Sequence, residues 1–395
     1  MKRSIIEFID ELNVELDNIL NFWSKQALDT QRGGFYGKIL SSGVRVKDAN
    51  KGAILNARIL WSFSAAYRYT KKQQHLEMAE RAFNYLVDYF IDKKNGGVFW
   101  ELDSKGNPVN TRKQAYAQGF ALYGLSEYYM ASGNERSLQL AQELFWTIEK
   151  HFLEKQFGGY IEALAEDWTP LDDVRLSTKD ANEPKSMNTH LHIIEPYTNL
   201  YRCWKNPILG ERIHSLIRIF LDKIIDNKTA HFNLFFDLDW KVKSTMVSYG
   251  HDIEGSWLLS EAAEVFGDKT LMNEVNAVAL RMVDATRMDG SDADGSIFYE
   301  REGNHFDTDK HWWPQAEAMV GYTDAWKKTG KHEYLDLAEK CWDFIDRYLI
   351  DRVFGEWLWR VDKDNNPYEI DEKTGFWKCP YHNTRALIEV VNRLK

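Results

Sequence analysis

Cysteine is scarce. Only Cys203, Cys341 and Cys379 occur in 395 residues. They lie far apart, form no CxxC pair and are odd in number. That pattern argues against a disulfide framework or a structural zinc and points to a reducing compartment. Positive charge is in deficit: 50 Lys and Arg face 60 Asp and Glu, for a net charge of −10. A chain without a positive field suits neither nucleic acid nor anionic lipid as its main partner. No run approaches the roughly eighteen apolar residues of a membrane span. The opening residues, Met1 to Ser4, lead straight into an amphipathic stretch, Ile5 to Leu28, that contains acids and is unlike a signal peptide. GxGxxG, P-loop and GxSxG motifs are absent, so a bound nucleotide or a serine nucleophile has no support. These absences predict a cytoplasmic protein.

Aromatic residues, by contrast, are plentiful at 14%, within an apolar share of 44%. That is ample for a large core and excludes disorder. A short motif recurs, small residues followed by an apolar-aromatic run. It reads Gly33-Gly34-Phe35-Tyr36, Gly96-Gly97-Val98-Phe99-Trp100 and Gly158-Gly159-Tyr160-Ile161, with fainter copies near Phe232–Asp237, Gly295–Glu300 and Gly355–Trp359. Taking residues 35, 98, 160, 234, 297 and 357 as equivalent, the intervals are 63, 62, 74, 63 and 60. Each interval holds two stretches of helical periodicity, such as Ala53–Tyr69 with His75–Phe90 and Gln315–Lys328 with Tyr334–Tyr348. Short polar breaks such as Ser132-Gly133-Asn134 and Thr329-Gly330-Lys331 separate the partners.

The pattern predicts an all-α fold: a single (α/α)6 barrel of about twelve helices over residues 1–395, with short β-hairpins between the helical hairpins. A solenoid is the structural rival. The third interval is the longest, and its excess lies in Ala165–Lys185, an acidic loop that includes Asp180. Long loops in compact domains are often functional.

Polar residues early in the inner helices would gather at one mouth of such a barrel. Asn188 and His192 are spaced i, i+4; His251 and Glu254 i, i+3; Trp313 and Glu317 i, i+4; Trp377 and His382 flank the start of the last helix. Arg58 sits in an apolar run, where a guanidinium is costly unless it is paired or lines a wet cavity. Arg58, Glu254 and Glu317 each precede a Ser or Thr by six residues, which puts them at one level, with Tyr116 near it. Spacing also speaks against metal: His190 and His192 diverge by about 200° on a helix and cannot chelate one ion. Asp289–Gly295 lacks the terminal Glu of a calcium loop and reads as a polar turn.

Met187-Asn188-Thr189-His190-Leu191-His192, Gly250-His251-Asp252-Ile253-Glu254, Trp312-Trp313-Pro314-Gln315-Ala316-Glu317 and Tyr381-His382-Asn383 resemble the signatures of the N-acylglucosamine 2-epimerase superfamily, and within it those of the cellobiose 2-epimerases. The resemblance spans essentially the whole chain. It implies an isomerase that needs no cofactor or metal and epimerises C2 of a reducing-end sugar. It implies His251 and His382 as the acid/base pair and His192 in ring opening. It places Arg58, Tyr116, Asn188, Glu254, Trp313, Glu317 and Trp377 around the substrate, and Asp180 against a distal sugar. The expected partner is a small carbohydrate, with neither nucleic acid nor membrane, and the expected state is a monomer or weak homodimer. Between Trp312 and Trp313, the face shared with Glu317 favours Trp313. A glycoside hydrolase on the same barrel would instead need two carboxylates roughly 5–10 Å apart across a scissile bond. A non-catalytic sugar-binding protein is a further alternative, as is a monosaccharide or N-acylglucosamine 2-epimerase or an aldose–ketose isomerase of the same superfamily.

Overall fold

Two helices fill each repeat, and a left-handed or polar turn separates them. The computed structural model describes residues 3–395; Met1 and Lys2, part of the stretch compared above with a signal peptide, lie outside the described residues. The helices among the described residues are α1 (Ile5–Lys25), α2 (Ala53–Thr70), α3 (Gln73–Tyr85), α4 (Ala115–Ser132), α5 (Glu135–His151), α6 (Met187–Cys203), α7 (Pro207–Ile219), α8 (Tyr249–Phe266), α9 (Lys269–Asp289), α10 (Trp312–Thr329), α11 (His332–Phe344) and α12 (Tyr381–Leu394). α3, α7 and α11 each run on into one π-helical turn, at Leu86–Phe90, Phe220–Ile224 and Ile345–Leu349. α2, α4, α8 and α10 end on left-handed residues, Lys71, Gly133, Gly267 and Gly330. Asn134 and Asp268 then cap the following helices by accepting from Ser137 N and Leu271 N. No helix among the described residues is long and apolar enough to cross a membrane.

The even-numbered helices form the inner ring. Each packs on its two neighbours, and α12 returns to α2. Helices enclosed on every side lose their amphipathic stripe: every residue of α4 from Ala115 to Tyr128 is buried. Glycine permits the tightest approaches. A Cβ on Gly119 would lie 2.4 Å from the His192 carbonyl of α6, and one on Gly124 2.7 Å from the Ala57 carbonyl of α2. The outer helices keep one apolar face, as α1 does with Phe8, Leu12, Leu16, Ile19 and Trp23.

Among the described residues six small antiparallel sheets stitch the ring, and their pairing differs from simple hairpins within each repeat. In each sheet a strand just before an inner helix pairs with a strand from the neighbouring repeat. Lys51–Gly52 pairs with Glu101–Leu102, and Lys113–Gln114 with Ala163–Leu164. Ile39–Leu40 pairs with Glu372–Thr374, joining the two ends of the chain. That pairing and the α12–α2 contact close the ring, which excludes the solenoid.

Each repeat motif forms a β-bridge: Leu28 to Phe35, Ile91 to Val98, Leu153 to Tyr160, Ile225 to Phe232, Ser291 to Ile297 and Ile350 to Trp357. The fourth equivalent residue is thus Phe232, not residue 234. There Ala230, in the left-handed region with His231 after it, stands where other copies have glycine.

Buried lysines brace five of the repeats. Lys51, Lys113, Lys185, Lys310 and Lys373 reach back to Asp29, Asp92, Glu154, the Asp292/Asp294 pair and Asp351. The fourth repeat uses His231 on Asp252, 2.7 Å apart, instead. The acids of the calcium-like turn are therefore engaged by Lys310, in keeping with a structural turn.

Candidate active site

The N-terminal ends of the inner helices surround a cavity of about 460 Å³. Its wall contains Arg58, Tyr116, Asn188, His192, His251, Glu254, Trp313, Trp377 and His382, and the long loop adds Asp180. Ten of the eleven residues singled out from the sequence thus meet in one place. Glu317 does not border the cavity; it lies fully buried behind His382, 2.6 Å from its Nδ1. Trp312 and Trp313 both border the cavity. Trp313 packs against both His251 and His382, with ring centroids 4.7 and 5.6 Å away, whereas Trp312 turns toward Trp359 at 5.0 Å.

Register explains the gathering. Arg58, His192, Glu254 and Glu317 are each the sixth residue of their helix. Tyr116 is the second residue of α4, one turn nearer the mouth, and meets the level through its hydroxyl. His192 owes its position to Pro196. Proline has no N–H for the His192 carbonyl, and its ring crowds that oxygen. The helix breaks there, with His192 at φ −91° and ψ 17°. His190 points elsewhere: its Nε2 accepts from Tyr160 N at 2.9 Å and its Nδ1 bonds Ser186 O at 2.7 Å.

His192, His251 and His382 have Nδ1 engaged and no partner on Nε2 among the described residues. His192 Nδ1 lies 2.8 Å from Glu195 Oε2, His382 Nδ1 2.6 Å from Glu317 Oε1, and His251 Nδ1 2.7 Å from Ser248 Oγ. Glu254, three residues after His251, turns to Arg385, 2.5 Å from Nη2, and its Oε2 has no hydrogen-bond partner among the described residues. Burial pushes His192 and His251 down to about 3, with Arg58 adding to both shifts. Burial, Arg58 and Arg385 push His382 well below the usual imidazole range. The cavity thus holds neutral imidazoles, ready to accept protons.

Arg58 donates from Nη2 to Tyr116 Oη at 2.9 Å and lies over the rings of Phe120 and Tyr381, 4.2 and 4.9 Å from their centroids. Its Nε has no partner, and no carboxylate among the described residues pairs with it. A buried guanidinium left in that state favours an anion in the cavity.

Glu254, Glu317 and His382 bring ligand-type atoms within 4.8 Å of one another. The cation between the carboxylates is Arg385, whose Nη2 lies 2.5 Å from Glu254 and 2.6 Å from Glu317. That arrangement also removes the glycoside hydrolase reading, because the two acids share one guanidinium and Glu317 does not face the cavity.

At the mouth, Asp180 Oδ2 accepts from Ser177 N at 2.8 Å, and burial raises its carboxyl. Tyr299 stacks on His311 at 3.8 Å. Glu300, beside them, is pushed up to about 7 by burial and by Asp307. The sequence reading missed Glu300, Ser248, Glu195 and Arg385. Ser248, Glu195 and Arg385 stand three residues from His251, His192 and His382, a spacing that could have revealed them.

Residues 34–386 match the N-acylglucosamine 2-epimerase (GlcNAc 2-epimerase) family. The chain is similar to a cellobiose 2-epimerase of Bacteroides fragilis, 48% identical over 96% of this chain and 98% of that protein. It is 39% identical to a cellobiose 2-epimerase of Ruminococcus albus, over 98% of each chain. The solved structure of the cellobiose 2-epimerase from Bacillus thermoamylovorans B4167 superimposes with a TM-score of 0.94 at 39% identity, covering 98% of this chain and 99% of that one.

Proposed function

The chain belongs to the N-acylglucosamine 2-epimerase family, and from that membership and the cavity's geometry we infer that it is a cellobiose 2-epimerase. It is an isomerase that inverts C2 of the reducing-end glucose of β-1,4-linked disaccharides, converting cellobiose to glucosyl-mannose and lactose to epilactose. The observation that carries the mechanism is the pair His251 and His382 on separate inner helices, both against Trp313, beside an Arg58 that lacks a carboxylate partner.

The steps follow from the groups present. His192, with Nδ1 on Glu195, moves a proton between O1 and the ring oxygen, and the sugar opens. The aldehyde acidifies the C2 proton. One of His251 and His382 removes that proton through Nε2, and the electron pair moves onto O1 as an enediolate. Arg58, with the inner-helix N-termini around it, stabilises this oxygen. The histidine that took the C2 proton passes it to solvent, the other takes one up at Nε2 and delivers it to the opposite face, and the ring recloses. The Asp180 loop and Glu300 stand at the mouth, where the second sugar ring projects.

The three cysteines are free, which supports a cytoplasmic location. We take the protein to be a monomer or weak homodimer, which sedimentation tests. The experiment for the activity is turnover in D2O with cellobiose and lactose, with mannose and N-acetylmannosamine alongside. Deuterium at C2 of the disaccharide product is expected. Product without label, and recovered substrate without label, would contradict reversible deprotonation. A kcat/KM for either monosaccharide equal to that for cellobiose would overturn the disaccharide assignment.

A further inference from the structure

We infer that Arg385 is a positioning residue for the epimerisation: from outside the substrate cavity, its guanidinium keeps Glu195 and Glu317 as hydrogen-bond acceptors, and through them fixes His192 and His382 as Nδ1–H tautomers whose Nε2 is a base. The inference rests on the reading of His192 and His382 given above.

Geometry carries it. Arg385 is buried in α12 and absent from the wall of the substrate cavity. It borders instead a second cavity of about 560 Å³ at the C-terminal ends of the inner helices. From there it reaches the three acids that back the site. Nη1 donates to Glu195 Oε1 and to the Tyr381 hydroxyl, which itself donates to Glu195. Nη2 donates to Glu254 Oε1 and Glu317 Oε1, at 2.5 and 2.6 Å. Glu317 Oε2 faces a further obligate donor, Trp257 Nε1, at 3.1 Å. Glu317 meets Arg and Trp donors on its two oxygens and Glu195 meets Arg and Tyr donors on Oε1, surroundings that favour each as an acceptor over a proton donor. The adjoining imidazole must then donate from Nδ1, which leaves Nε2 with its lone pair.

The surrounding charge makes the arrangement depend on this one cation. α6, α8 and α10 contribute the carboxylates Glu195, Glu254 and Glu317. Arg58 of α2 lies across the Tyr381 ring, Tyr123 of α4 faces the guanidinium, and Glu261 and Arg393 stand on its far side. Without Arg385, Glu195, Glu254 and Glu317 would lose the guanidinium that donates to all three. Burial already pushes Glu195 and Glu317 upward, and Arg385 opposes that push in both. The relief for an unpaired buried carboxylate is proton uptake. A protonated Glu317 would donate to His382 Nδ1, move the ring proton to Nε2 and remove the base. Raising the pH would restore it.

The test is the pH–rate profile of cellobiose epimerisation for the wild type, Arg385→Lys and Arg385→Gln, with circular dichroism as the check on folding. Arg385→Gln is expected to lose about 10²-fold at pH 7, within the range of general acid–base catalysis, and to recover as pH rises. Its acid limb should move upward by one unit or more. Arg385→Lys keeps a positive charge, so its limb should stay near the wild-type position while kcat falls. A residue that only supports the fold would lower activity at every pH and leave the limb in place; that result in folded Arg385→Gln overturns the inference. The wild type supplies a measurement independent of any variant. Ring-nitrogen ¹⁵N shifts should show His192 and His382 protonated at Nδ1, and Nε2–H on His382 would refute the inference outright. A wild type that does not epimerise cellobiose at all would instead sink the functional reading.

Discussion

His382 and His251 sit on opposite terms with their surroundings. His382 rests on a carboxylate, Glu317, which is itself held by Arg385 and Trp257. His251 rests on a hydroxyl, Ser248, 2.7 Å away. A carboxylate only accepts, so it locks Nδ1–H on His382 and stabilises the imidazolium that forms when Nε2 takes a proton. A hydroxyl donates or accepts, so Ser248 serves either tautomer of His251 and stabilises its cation less. The pair is therefore unequally supported: the Glu317 carboxylate steadies a protonated His382 more than the Ser248 hydroxyl steadies a protonated His251. The proposed inversion still needs both, because each face of C2 must lose and gain a proton.

The largest effect should come from removing either member. His251→Ala and His382→Ala are each expected to cost about 10³-fold or more in epimerisation, within the usual range for a general acid/base, with circular dichroism unchanged. Comparable activity in either variant would remove that residue from the pair.

The supports should separate next. Charge-assisted hydrogen bonds are worth about 1.5–3 kcal/mol and neutral ones about 0.5–1.5. Glu317→Gln should accordingly cost about 10–10²-fold in kcat and Ser248→Ala about tenfold or less. Equal losses would show that the two histidines are held alike after all. Substitution at the mouth should leave the inequality untouched. Asp180→Ala should weaken kcat/KM for cellobiose by about tenfold and barely change residual activity on mannose. A matching loss on both sugars would place Asp180 in the chemistry or the fold instead of the distal subsite.

The pH dependence gives the smallest change. Burial and Arg58 hold His251 down at about 3, and burial with Arg58 and Arg385 holds His382 low as well. Lowered values keep both imidazoles neutral and basic to more acid pH. The acid limb of kcat/KM should therefore lie below the ordinary imidazole value of about 6.5. A limb at or above that value would mean that the cavity does not hold the pair neutral.

Much of the barrel could be read from the sequence because helical periodicity persists through long apolar segments. The breaks at Gly133 and Gly330 mark real helix ends. The cross-repeat sheets could not be, since strands of two or three residues carry no period. The fourth motif slipped by two residues because Ala230 and His231 replace its glycines. The buried lysines carry no sequence signal, because only the folded ring brings Lys51 to Asp29. The site divides along the same line. Residues at helical spacing on the first turns declared themselves, whereas contacts between helices did not. Glu317 and His382 are 65 residues apart, and Arg385 reads as part of the polar face of an amphipathic helix. Glu254 stands at i, i+3 from His251, yet the ring turns toward Ser248, on the other side in sequence.

Solvent exchange in the single-histidine variants puts the two-base mechanism to its most direct test. In D2O, each variant keeps one base and therefore one face of C2. His251→Ala should incorporate deuterium at C2 of one epimer of the disaccharide without interconverting the two. His382→Ala should do the same with the other epimer. Exchange into the same epimer by both variants, or full epimerisation by either, would contradict a mechanism in which His251 and His382 serve opposite faces.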